Sequence, residues 1–213
     1  MTPLAPPSSR RVGFDWITPT IWGVFGVLAL AAIVVMHGSY WQQRHTLGLR
    51  RALDDGNHAA AIRHLEAFLT KTPDHTGRLR QLATEFLWDN QPDAARVQLE
   101  RLHELKPEMN LDFEWGWCLL QMGESDKSQA PLARVLKRKP KDPGVNFCVG
   151  RIALEQERYD RAGRAFLLAS LDPDWHERAK PWRAKLAEAA RTKNKASVTT
   201  ATTATIAAPT HPE

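Results

Sequence analysis

The sequence predicts an all-α protein, an N-terminal transmembrane helix followed by a solenoid of helical hairpins. Three observations carry this prediction. Pro73, Pro107, Pro140 and Pro173 recur at intervals of 34, 33 and 33 residues, and each closes a similar pattern. A fixed period in this range marks a repeat array. Within each period the apolar residues fall three and four apart, the spacing of one helix face. Ahead of the array, Ile17 to Met36 carries no charged side chain, and such a length at about 1.5 Å per residue gives about 30 Å, the thickness of a hydrocarbon core.

Trp16 and Trp22 lie at one end of this segment and Tyr40 and Trp41 at the other, as in the aromatic belts of membrane spans. A cleaved signal peptide is the rival reading, with Arg10 and Arg11 as its basic start and Ala29-Leu30-Ala31 as a small-x-small site. More apolar sequence follows that triplet, Ala32 to Met36, so an uncleaved anchor is the better expectation. Arg10 and Arg11 precede the span, and Arg44, Arg50 and Arg51 follow it. With the terminal amine added, the balance is close, and the expectation leans to an inside N-terminus. The chain is thus expected in a bacterial inner membrane, single-pass, with its repeats in the periplasm. It divides into a tail (1–16), an anchor (17–41), a repeat domain (42–193) and a Thr/Ala-rich tail (194–213) too poor in apolar bulk to order.

Residues 76–108 set the plan of the repeat. Leu79, Leu82, Phe86 and Leu87 form one stripe, Asn90-Gln91-Pro92-Asp93 breaks the helix with Asp93 as a cap, and Ala95, Leu99 and Leu102 form a second stripe. Pro107 ends it, because a proline disfavours helical geometry in the residue before it. Residues 109–142 repeat the plan with Trp115, Gly116, Leu119 and Leu120, a turn at Gly123, then Ser128, Leu132, Val135 and Leu136. Residues 143–175 repeat it again with Val149, Gly150, Ala153 and Leu154, then Tyr159, Ala162, Phe166 and Ala169. Residues 42–75 are a weaker copy, with Gly56, Ala61, Leu65 and Phe68, and with His45 where a large apolar residue is usual. Residues 175–193 read as a final helix, broken near Pro181, that caps the array.

This pattern resembles the tetratricopeptide repeat family. The resemblance rests on small residues at the helix crossing (Ala83, Gly116, Gly150), small residues opening the second helix (Ala95, Ser128, Ala162), and the run Tyr159, Ala162, Phe166, Ala169. It covers about 130 residues, counted from Gln42 to Pro173, and implies a fold more than a function. It also implies a concave groove that receives a peptide or helix of a partner protein, lined by the first helix of each repeat. The positions it marks are Arg80, Thr84, Leu87 and Trp88, then Phe113, Trp117, Leu120 and Gln121, then Phe147, Arg151, Leu154 and Glu155. Tryptophan and arginine are frequent interface anchors, although aromatics at helical spacing also serve simply as core. The absence of the family's clamp asparagine, with Arg80 and Thr84 in that repeat, argues against a chaperone-tail clamp.

Other chemistry is not indicated. Net charge is +5 with pI near 9.4, but the charges are interspersed with acids, without the basic stripe of a nucleic-acid binder. The eight histidines are scattered, with no catalytic motif, and read as surface residues, as do Glu114 and Glu124. No metal or cofactor is expected. Cys118 and Cys148 read as two buried small residues, with a disulfide open only outside the cytoplasm. The expected function is a membrane-anchored scaffold or assembly factor holding an exported or membrane protein. The alternatives are a cytoplasm-facing targeting receptor and a homo-oligomer built from the repeats.

Overall fold

The turns between helices explain the architecture best. At Gly56, Asn90, Gly123 and Glu157 the chain adopts positive φ, of 64°, 59°, 82° and 56°. In each case the next residue's N–H closes back onto the carbonyl five residues earlier: Asn57 to Ala52 O, Gln91 to Phe86 O, Glu124 to Leu119 O, and Arg158 to Ala153 O, at 2.7 to 2.9 Å. This is a Schellman closure, in which a left-handed residue satisfies the last carbonyls of a helix. The same device at the same place in four successive units folds the chain into four hairpins.

The computed structural model describes residues 17–206, except for the side chains of 17–23, 37–39, 41–43 and 196–206. Among these residues there are nine helices: α1 (Ile17–Asp54), α2 (His58–Leu69), α3 (Thr76–Trp88), α4 (Pro92–Leu105), α5 (Asp112–Gln121), α6 (Ser125–Arg138), α7 (Pro143–Glu155), α8 (Tyr159–Ala169) and α9 (Pro173–Ile206). The hairpins are α1–α2, α3–α4, α5–α6 and α7–α8, and α9 packs on both α7 and α8, where the first helix of a fifth unit would lie. The described residues are all-helical, as expected. Leu79, Leu82, Phe86, Leu87, Ala95, Leu99, Leu102, Leu120, Leu132 and Phe166 are all buried, so the helical stripes read in the sequence form the core.

Small residues bring paired helices close. A Cβ on Gly116 would stand 2.5 Å from Leu132 Cγ, and one on Gly150 would stand 2.6 Å from the Phe166 ring. In α1–α2 the same role falls to Gly48, where an added Cβ would run into the His64 ring. The first unit is therefore a full copy whose crossing is built from a histidine.

The membrane expectation is corrected. Among the described residues, no helix is long and apolar enough to cross a membrane. The apolar stretch with described side chains, Val24–Met36, is 13 residues (36 − 24 + 1) and spans about 20 Å, and it is exposed along its length. α1 runs through this stretch and continues without a break into the first hairpin. The inner-membrane, periplasmic placement is withdrawn with the membrane expectation. Residues 1–16, with Arg10, Arg11 and Trp16, lie outside the described residues, as do the side chains of Trp22 and Trp41. At the other end, α9 continues to Ile206, through most of the tail expected to be disordered, and residues 207–213 lie outside the description. The cap of α4 also differs: Gln91 holds that position without a side-chain bond, Pro92 opens the helix, and Asp93 lies in its first turn.

Candidate functional site

The inner helices α3, α5 and α7 each present one face to the hollow of the array. Two bonds that span one repeat lock α3 and α5 in register. Gln121 Nε2 donates to Leu87 O at 2.9 Å, and Arg80 Nε donates to Glu114 Oε1 at 2.6 Å. Glu114 was expected to be an exposed charge; it is buried, with Arg80 as its counter-ion. A buried carboxylate needs such a partner, because desolvation disfavours a lone charge. One repeat earlier, His58 Nδ1 lies 2.8 Å from the buried Glu85 and its ring stacks on Trp88 at 5.5 Å. His58 is thus built into the array, not scattered on its surface.

The marked groove residues converge, and the structure divides them by exposure. Trp117 and Phe147 are buried to 0% and 1% exposure, as are Leu87 and Leu120. Trp88, Phe113, Thr84, Gln121, Arg151 and Leu154 are half-buried, and Arg80 and Glu155 are exposed. Thr84 turns its hydroxyl onto Arg80 O at 3.0 Å, and Glu155 accepts a bond from Ser125. Trp88 meets Trp117 edge-on at 5.2 Å, and Phe113 lies 5.6 Å from Trp117. Trp117 is thus part of the core, while Trp88 is half-buried.

What the sequence reading missed is the occupant of this hollow. Trp175 of α9 lies 4.6 Å from Trp88, 5.0 Å from Trp117, 5.3 Å from Phe147 and 6.1 Å from Phe113, between ring centroids. One turn on, Arg178 stands over the faces of Trp88 and Trp117, at 4.9 and 5.1 Å. Its guanidinium donates to Trp88 O and Leu87 O at 3.1 and 3.2 Å, which places a cation on the negative end of α3. Trp182 stacks under Arg151 at 4.3 Å. The signal was present in the chain: Pro173 falls one period after Pro140, and Trp175, Arg178, Ala179 and Trp182 sit at i, i+3, i+4 and i+7, a single helix face.

Burial lowers the pKa of both arginines, Arg151 and Arg178, and for Arg178 the nearby Arg151 adds to the effect. Trp117 Nε1, Arg151 Nε, Glu114 Oε2 and Gln121 Oε1 are buried without a hydrogen-bond partner. The open part of the hollow is a cleft of about 500 Å³, lined by residues that include Arg80, Phe113, Glu114, Arg138, Asp142 and Trp175. Cys118 and Cys148 are free and buried. Burial raises their thiols to about 11 and about 12, which leaves little thiolate and suits them to packing. Among the described residues, no cluster of His, Cys, Asp or Glu is placed to hold a metal ion.

A tetratricopeptide repeat model matches residues 113–177, from the first turn of α5 into α9. No curated protein matches the chain. Among solved structures, one described as MamA 41-end from Desulfovibrio magneticus RS-1 is similar at 18% identity, with a TM-score of 0.47, over 71% of this chain and 96% of the other. A second, described as MamA protein, is 15% identical with a TM-score of 0.45, over 82% of this chain and 100% of the other.

Proposed function

We propose that this chain is a protein-interaction scaffold of the tetratricopeptide type, and not an enzyme. It receives a peptide or helix of a partner protein on the concave face formed by α3, α5 and α7, and holds that partner during assembly. The observation that supports this most is the repeat-spanning register, in which Arg80–Glu114 and Gln121–Leu87 fix α3 against α5 so that their aromatic and arginine side chains face one hollow. Rigid, preorganised aromatic surfaces bind at low entropic cost, and tryptophan and arginine are the usual anchors.

The test uses residues at the open rim. Trp117 is unsuitable, because its removal from a buried site costs about 3–5 kcal/mol of stability and would confuse unfolding with lost binding. A photo-crosslinking amino acid in place of Thr84 is expected to capture one discrete protein in cells, and one in place of the exposed Val97 on α4 is not. Equal capture from positions 84 and 97 would move the binding surface off the concave face.

A further inference from the structure

The hollow is already filled by a helix of the same chain, and the fit is incomplete in a way that describes the preferred occupant. Trp175 satisfies the aromatic wall, and Arg178 satisfies the carbonyls at the end of α3. At the far end α9 matches poorly. Arg151 makes no ion pair with any carboxylate among the described residues, its Nε has no acceptor, and the contact α9 offers it is the ring of Trp182. Trp117, fully buried, also points its Nε1 at nothing that accepts. Meanwhile α9 adds a second cation, Arg178, beside Arg151. A charge-assisted bond to a carboxylate is stronger than a ring contact of this kind.

We propose that α9 is an internal ligand that the true partner replaces, and that this partner is an amphipathic helix with an aromatic residue at i, a cation at i+3 and a carboxylate at i+7. The aromatic residue takes the place of Trp175, the cation that of Arg178, and the carboxylate pairs with Arg151 where Trp182 now lies. This rests on the concave face being the partner site. The means of release is visible in α9 itself. A linker of three residues, Ser170–Asp172, joins it to α8, and Pro181 withdraws one backbone donor from its interior. Binding then couples to opening, and the observed affinity is the intrinsic affinity reduced by the fraction of molecules with α9 released.

Two labelled peptides test this on the full chain by fluorescence anisotropy. One carries residues 173–192 unchanged, and the other carries Trp182→Glu. The Glu peptide should bind at least tenfold more tightly than the unchanged one. Arg151→Glu in the chain should remove that preference. Arg178→Ala in the chain, which loosens α9, should tighten the Glu peptide about tenfold. Hydrogen exchange on the wild-type chain should show α9 losing protection, with α3, α5 and α7 gaining it, as the Glu peptide is added, and this reading does not depend on any variant folding. No preference between peptides, or indifference to Arg151→Glu, overturns the proposal. If the Glu peptide binds while α9 stays protected, the proposal falls and a scaffold binding elsewhere survives. If α9 exchanges between two copies at higher concentration and the unchanged peptide competes best, the occupant is a second copy of this chain and the acidic helix is ruled out.

Discussion

The first hairpin, α1–α2, and the fourth, α7–α8, follow one plan with different materials. Both cross at a glycine, but Gly150 meets the buried ring of Phe166, and Gly48 meets the half-buried imidazole of His64. Both turn through a left-handed residue, but that residue is Gly56 in one and Glu157 in the other. The comparison separates what the repeat requires, a close crossing and a positive φ, from the side chains that happen to supply it. It also assigns weaknesses: the fourth hairpin carries its strain in the turn, and the first carries a titratable group in its crossing.

The largest expected effect tests the crossings. Gly150→Ala places a methyl 2.6 Å from Phe166, and Gly116→Ala places one 2.5 Å from Leu132. Both neighbours are buried side chains of the core, and overpacking of this kind costs about 1–3 kcal/mol. Gly48→Ala presses on His64, which is half-buried and not enclosed by the core, so its cost should be below that range. Urea unfolding of the three variants decides the matter. An equal cost at Gly48 would show that the histidine is held as firmly as the phenylalanine.

A smaller effect, of opposite sign, is expected at the turns. Glu157 at φ 56° bears the left-handed penalty of about 1–2 kcal/mol that glycine avoids. Glu157→Gly should therefore stabilise by up to about 1 kcal/mol after the entropy of the more flexible unfolded chain is charged against it. The exposed contact from Lys193 at 3.9 Å is too weak to reverse the sign. Gly56→Ala should destabilise by a similar amount. A lower melting temperature for Glu157→Gly would mean that the glutamate makes a contact worth more than its strain.

The repeat itself was legible because its signals are local. Prolines at a fixed period, small residues at crossings and apolar stripes are written within single helices, and the core followed from them. The occupant of the groove was harder to see, because Trp175 lies 87 residues from Trp88 (175 − 88) and only the superhelical turn of the array joins them. The spacing of Trp175, Arg178 and Trp182 was readable as an apolar helix face, but its target was not. Glu114 was misread because burial of an acid depends on a counter-ion one repeat away, Arg80. Asn90 and Glu157 were not read as left-handed, since neither is glycine, although each lies one period from a glycine that is: Asn90 from Gly56 and Gly123, Glu157 from Gly123. Gly48 was missed behind His45, the residue that made the first unit look defective.

That residue supplies the finest test of the comparison. His45 and His64 lie edge to face at 5.6 Å, with Nδ1 atoms 3.5 Å apart. Burial lowers the His45 pKa below its ordinary value, and His64, Arg44 and Lys71 add to the effect. The fold therefore favours the neutral ring. Its contribution is fully present above the unfolded pKa of about 6.5 and is lost as pH falls through that value toward the lower folded one. Between about pH 7.5 and 5.5, amide protection should fall in α1 and α2 and stay constant in α7 and α8, whose crossing is Phe166 on Gly150. His64→Leu keeps a bulky group on Gly48 and removes the second imidazole, so it should shrink the pH response without unlocking the hairpin. If α7–α8 loosens in the same interval, the response belongs to the whole array and not to this crossing, and the contrast between the two hairpins fails at its most specific point.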